Sequence, residues 1–74
     1  MFGLGKPRSN FGKWIDRKGL KQQWISNKSG VSHGTISQLA IDDDRSPTYR
    51  NSQKIIKVLR EVDPSVRADQ FWDL

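Results

Sequence analysis

The chain contains no cysteine, which removes both a disulfide framework and a cysteine-based zinc site and fits an expected place in the cytoplasm. No apolar run approaches the roughly 20 residues of a membrane span, and the N-terminus lacks the apolar segment of a signal peptide. Histidine occurs once, at His33. The carboxylates have no basic or nucleophilic partner at a recognisable spacing, and a nuclease would need metal-organising acids on a rigid scaffold. An enzyme is therefore not expected, and neither is a cofactor, a metal ion or a small-molecule ligand. Acid is scarce in one half of the chain only. Residues 1–38 hold seven basic residues against Asp16 alone, a net +6, whereas residues 39–74 hold six basic and seven acidic residues, a net −1. With 74 residues in all, the chain makes one domain whose core must be compact or helped by a partner. The positive half is the electrostatic footprint of a polyanion binder, although a merely soluble basic surface would look the same on charge alone.

What the chain does have is centred on residues 22–39, QQWISNKSGVSHGTISQL, which read as two short helices joined by a tight turn. Gly30 sits where the first helix ends, because the left-handed conformation of a helix stop carries no Cβ penalty in glycine. Ser32 is placed as the N-cap of a second helix starting at about His33. Ile25, Val31, Ile36 and Leu39 turn one side of the pair inward. The other side of the second helix carries His33, Gly34, Thr35, Ser37 and Gln38, which are small or hydrogen-bonding groups with no net charge. Such a face suits the reading of base edges.

With Gln22 at the start of the first helix, Gly30-Val31-Ser32 in the turn and Thr35-Ile36-Ser37 in the second helix, this stretch resembles the helix-turn-helix of the Cro/phage-repressor-type (Xre-type) DNA-binding family. Two positions differ from the family pattern. Ser26 stands where alanine is usual, and Ala40-Ile41-Asp42 stands where glutamate and glycine usually end the second helix. The resemblance implies an all-α, compact five-helix repressor-like domain that binds double-stranded DNA through the major groove. It would be a small transcriptional regulator, a repressor of phage or mobile-element type, acting by occupancy, with a homodimer on a palindromic site as one arrangement. Carried over position by position, the resemblance makes His33, Gly34, Ser37 and Gln38 base-facing. Gln22 would hold a phosphate and brace the second helix, while Thr35, Lys21, Lys28 and Arg45 would meet the DNA backbone. Gln38 is the best base reader, since its amide fits the N6 and N7 edge of adenine.

The flanking segments read as support. Residues 1–8 form an expected flexible arm, and residues 9–74 the single domain. Ser9 or Asn10 caps a helix to about residue 18 with Phe11, Trp14 and Ile15 on its inner face, and Gly19 stops it. Trp24 lies round the axis from Ile25, where it covers the arm or a neighbouring helix, or joins a protein interface. After Leu39 the composition reads as a loop containing Asp42, Asp43 and Asp44, whose spacing does not match a calcium loop. Ser46-Pro47 is expected to open the longest helix, with Tyr49, Ser52, Ile55, Ile56, Leu59 and Val62 inward and Arg50, Lys54, Lys57 and Arg60 outward. Asp63-Pro64 breaks that helix and starts a short fifth one from residue 65 to about 70. Phe71, Trp72 and Leu74 then either pack back onto the helices or lie at a dimer seam. Together with Trp24 they offer the alternative of a protein-interaction module or antitoxin-like partner.

Overall fold

Four α-helices and one 3-10 turn account for the regular structure of this computed structural model, which describes residues 8–42 and 44–73. They are α1 (Asn10–Arg17), α2 (Gln22–Ser29), α3 (His33–Ile41), α4 (Tyr49–Leu59) and the 3-10 turn Ala68–Gln70. The class is all-α among the described residues, but a fifth α-helix does not form.

Local chemistry sets most of the boundaries. The Ser9 hydroxyl accepts the Gly12 N–H at 3.0 Å and so caps α1, satisfying a donor that has no partner inside the helix. Gly19 (φ 71°) turns the chain out of α1, and Gly30 (φ 79°) does the same after α2, in a region where any other residue would bear Cβ strain. Ser32 caps α3 by accepting the Thr35 N–H at 3.3 Å.

The fourth helix opens later than the sequence suggests. Thr48 is its cap, accepting the Asn51 N–H at 3.1 Å, and Pro47 is buried ahead of the helix rather than inside its first turn. The inward stripe is also shorter than expected. Ser52, Ile55, Ile56 and Leu59 are buried and Val58 joins them, but Tyr49, the first residue of α4, is 69% exposed, and Val62, three residues past its end, is 41% exposed.

The stretch expected to be a fifth helix is instead a local turn. The Asp63 carboxylate accepts both the N–H (3.0 Å) and the hydroxyl (2.6 Å) of Ser65, a side-chain-to-backbone bond that competes with helix formation. Arg60 Nε then donates to the Val66 carbonyl at 3.1 Å, Val66 drops into the core, and Arg67 is extended. Only three residues, Ala68–Gln70, wind before the chain ends in Phe71 and Trp72.

The core draws on every element: Phe11, Trp14 and Ile15 of α1, Ile25 of α2, Val31 of the turn, Ile36, Leu39 and Ala40 of α3, Ile55, Ile56 and Leu59 of α4, and Val66, Phe71 and Trp72 of the C-terminal segment. Phe71 stands edge-on to Phe11 and Trp14, with ring centroids 5.7 and 5.9 Å apart, and Trp72 lies 5.3 Å from Phe11. These offset geometries suit the ring quadrupoles. Phe71 (9% exposed) and Trp72 (4%) thus close the core over α1 and leave little surface exposed, as expected of the alternative in which they pack back onto the helices. Leu74, Asp43 and residues 1–7 of the expected arm lie outside the described residues. Arg8, placed in that arm, folds onto α1: its guanidinium makes a two-point bond to Asp16 at 2.9 and 3.0 Å.

Candidate nucleic-acid interface

The exposed side of α3 is held in place from three directions. At its N-terminal end the Ser32 hydroxyl also donates to Thr35 Oγ1 at 2.8 Å. In the turn, the Ser26 hydroxyl donates to the Val31 carbonyl at 2.6 Å. The serine that replaces alanine at this close approach is therefore buried with its hydroxyl satisfied, and it ties α2 to the turn. At the C-terminal end, the Ser9 hydroxyl donates to the Leu39 carbonyl at 2.5 Å and the Ser9 N–H donates to the Ala40 carbonyl at 2.9 Å. Two of the carbonyls that a helix end leaves without partners are thereby satisfied by the residue that caps α1. Gly12 permits this crossing, since a Cβ there would lie 2.1 Å from the Ala40 carbonyl oxygen.

With Ile36, Leu39 and Ala40 buried, the opposite side of α3 faces outward. At about 100° per residue, His33, Ser37, Ile41, Gly34 and Gln38 fall within an arc of about 140°. His33, Gly34 and Gln38 are exposed, Ser37 and Thr35 are half-buried, and Ile41 is exposed. The four residues expected to face bases are thus brought onto one surface. Ile41 joins them because α3 runs two residues beyond the expected end at Leu39, into what the composition reads as a loop. Asp42 ends the helix, accepting the Asp44 N–H at 3.0 Å with its side chain while its carbonyl accepts the Arg45 N–H at 3.2 Å.

Gly34 has no steric reason to be glycine in this fold. It lies inside a right-handed helix, and an added Cβ would meet nothing within 4 Å. Glycine in a helix interior costs up to about 1 kcal/mol relative to alanine.

The expected backbone contacts separate into two groups. Lys21 and Arg45 are exposed, and among the described residues they are in no ion pair and Gln22, half-buried at the first position of α2, makes no hydrogen bond to α3. Lys28 is turned elsewhere. Its ammonium lies 3.2 Å from a Glu61 carboxylate oxygen and 5.9 Å from the Trp24 ring centroid, so it fastens α2 to the segment after α4. Trp24 itself is half-buried and packs on the core.

The charge map differs from the split by halves. Lys18 pairs with Asp63 at 3.7 Å, and Arg67 with Asp69 at 2.9 Å, so acids of the C-terminal half neutralise Lys18 and Lys28 of the N-terminal half. Among the described residues, the exposed cations outside any ion pair are Lys13, Arg17, Lys21, Arg45, Arg50, Lys54, Lys57 and Arg60, the last bonded to the Val66 carbonyl. The two Ser65 bonds hold the Asp63 carboxyl below the usual aspartate range, and the nearby Lys18 ammonium adds to this. Beside the last of these cations, a groove of about 510 Å³ follows α4, lined by Tyr49, Ser52, Gln53, Ile56, Lys57, Arg60 and Ala68. Among the described residues no helix is long and apolar enough to cross a membrane, and no three metal-ligating side chains cluster.

Sequence reading did not find Gly12, the bond from Ser9 to the end of α3, or Ile41. No short-range signal marks the first two, because their partners lie about thirty residues away. For Ile41 a signal was present, in that Ala40-Ile41 continues a helix without a breaker. No protein-family model, curated protein or solved structure matches this chain.

Proposed function

We propose that this chain is a sequence-specific double-stranded DNA-binding protein of the repressor-like helix-turn-helix kind, with α2 and α3 as the motif and α3 in the major groove. It regulates transcription by occupying its site, as a phage or mobile-element regulator would. The observation that carries the reading is the outward face of α3. It is uncharged, hydrogen-bonding and anchored at both ends, and it contains a glycine that the fold itself does not need. An uncharged polar face reads base edges, whose donors and acceptors differ among the four base pairs in the major groove. Lys21, just ahead of α2, and Arg45, after α3, are exposed cations of the kind that suits phosphates. Gln38 is the principal reader, with His33 and Ser37 beside it, while Gly34 admits the helix backbone close to the bases.

Selection of bound duplexes from a random pool, followed by a salt titration of the winner, tests this. A preferred sequence should emerge, and a palindromic one marks a homodimer, because half-site symmetry mirrors protein symmetry. Gln38→Ala should leave the melting temperature unchanged and cost about 1–3 kcal/mol on that duplex, relaxing preference at one base pair while non-specific binding survives. Equal loss on every sequence would remove α3 as the reading element.

A second reading, a protein-docking module, draws on the groove beside α4 rather than on Phe71 and Trp72. From residue 45 to residue 60 the chain has five basic residues and no acid, so the partner there would be an acidic segment with an apolar anchor. Binding of such a partner with no salt-sensitive DNA affinity would favour it.

A further inference from the structure

We propose that Ile41 reads the C5-methyl group of a thymine within one or two base pairs of the base read by Gln38. The inference rests on the DNA-binding reading and names a specificity contact within it.

Ile41 is the last residue of α3 and is 42% exposed. A single exposed apolar side chain is ordinary on a protein surface. What sets this one apart is its position. It stands four residues after Ser37, three after Gln38 and seven after Gly34, so it continues the same helical row one turn further along. Of the large apolar side chains that are well exposed, Tyr49 and Val62 lie on or after α4, and Ile41 alone is on α3. Its β-branched side chain has few rotamers, and α3 is held at this end by the bonds from Ser9 to Leu39 and Ala40. The group is therefore presented rigidly.

The thymine methyl is the apolar group on the major-groove edges of the four base pairs, and apolar side chains are its natural partners. From Gln38 to Ile41 the helix rises about 4.5 Å, against about 3.4 Å for one base-pair step. A glutamine on adenine therefore places Ile41 over a neighbouring pair when the helix lies along the groove.

The test replaces each thymine of the selected duplex, one at a time, by deoxyuridine. This deletes the methyl group and leaves every hydrogen-bonding atom in place. For the native chain, one replacement near the Gln38 pair should weaken binding about fourfold, the effect of one buried methyl group. With Ile41→Ala the same replacement should have no effect, and the variant should melt with the native chain because the side chain is largely outside the core. The proposal is overturned if no thymine is sensitive, if the preferred site has no thymine beside the Gln38 pair, or if Ile41→Ala keeps the full sensitivity. A pool that yields no preferred duplex overturns the DNA-binding reading itself, and does so at the selection step, before any deoxyuridine is introduced.

Discussion

Gly34 and Gly12 are both glycines inside regular helices, yet the reasons for them are opposite. At Gly12 the neighbouring backbone requires the absence of a side chain, since the Ala40 carbonyl oxygen would be 2.1 Å from a Cβ. At Gly34 the fold makes no such demand, and under the proposed function the absence lets the helix backbone approach the bases. Gly34→Ala is therefore expected to raise stability by about 0.5–1 kcal/mol through helix propensity, and to weaken binding to the preferred duplex by about tenfold, roughly 1.4 kcal/mol. Thermal melts and a binding isotherm check the two effects separately. Improved stability with unchanged affinity would show that the helix backbone does not come close to the bases.

At the scale of elements, the join between α1 and α3 decides where the outward face points. Ser9 serves two helices at once: it accepts from Gly12 to begin α1 and donates to Leu39 to finish α3. The packing of Gly12 on Ala40 brings the two helices close enough for that. In Gly12→Ala the gain in helix propensity is up to about 1 kcal/mol, whereas overpacking against backbone costs typically 1–3 kcal/mol. Overpacking wins, because a carbonyl in a helix cannot rotate away as a flexible side chain can. The expected outcome is a lower melting temperature and a larger loss of affinity for the preferred duplex than for random DNA, since α3 tilts when α1 is pushed off. A melting temperature at or above that of the native chain would mean that the helices separate without strain.

For the whole molecule, electrostatics depends on which cations are already paired. The net +6 of residues 1–38 overstates the field beside α3, since Arg8, Lys18 and Lys28 each face a carboxylate. Lys21→Ala should therefore lower the slope of log affinity against log salt by about one. Lys28→Ala should leave the slope nearly unchanged and instead loosen α2 from the segment after α4. If both variants lower the slope equally, the Glu61 pair opens on DNA. Acid acts through Asp63. Its folded pKa lies below the unfolded one, so its contribution is present above the unfolded value and is lost as pH falls through the folded value. The stability difference between the native chain and Asp63→Asn should accordingly be greatest at neutral pH and shrink as pH falls through the folded value. A difference that persists in acid would assign the effect to packing.

Caps, glycine stops and apolar periodicity were legible in the sequence because each depends on residues within about four positions. Ser32, Gly19 and Gly30 are read correctly from their neighbours alone, as are the inward faces of α1, α2 and α3, and the structure selects Ser9 over Asn10 as the cap of α1. The outward row His33, Gly34, Ser37 and Gln38 follows from the same periodicity. Tertiary structure decided what depends on distant segments meeting. Phe71 and Trp72 are core because α1 offers Phe11 and Trp14 as ring partners, and Lys28 is paired because Glu61 comes alongside α2. The end of α3 is fixed in place because residue 9, some thirty positions earlier, bonds the Leu39 and Ala40 carbonyls. Hydrogen bonds across that separation leave no periodic trace in the chain, so only the folded molecule reveals them.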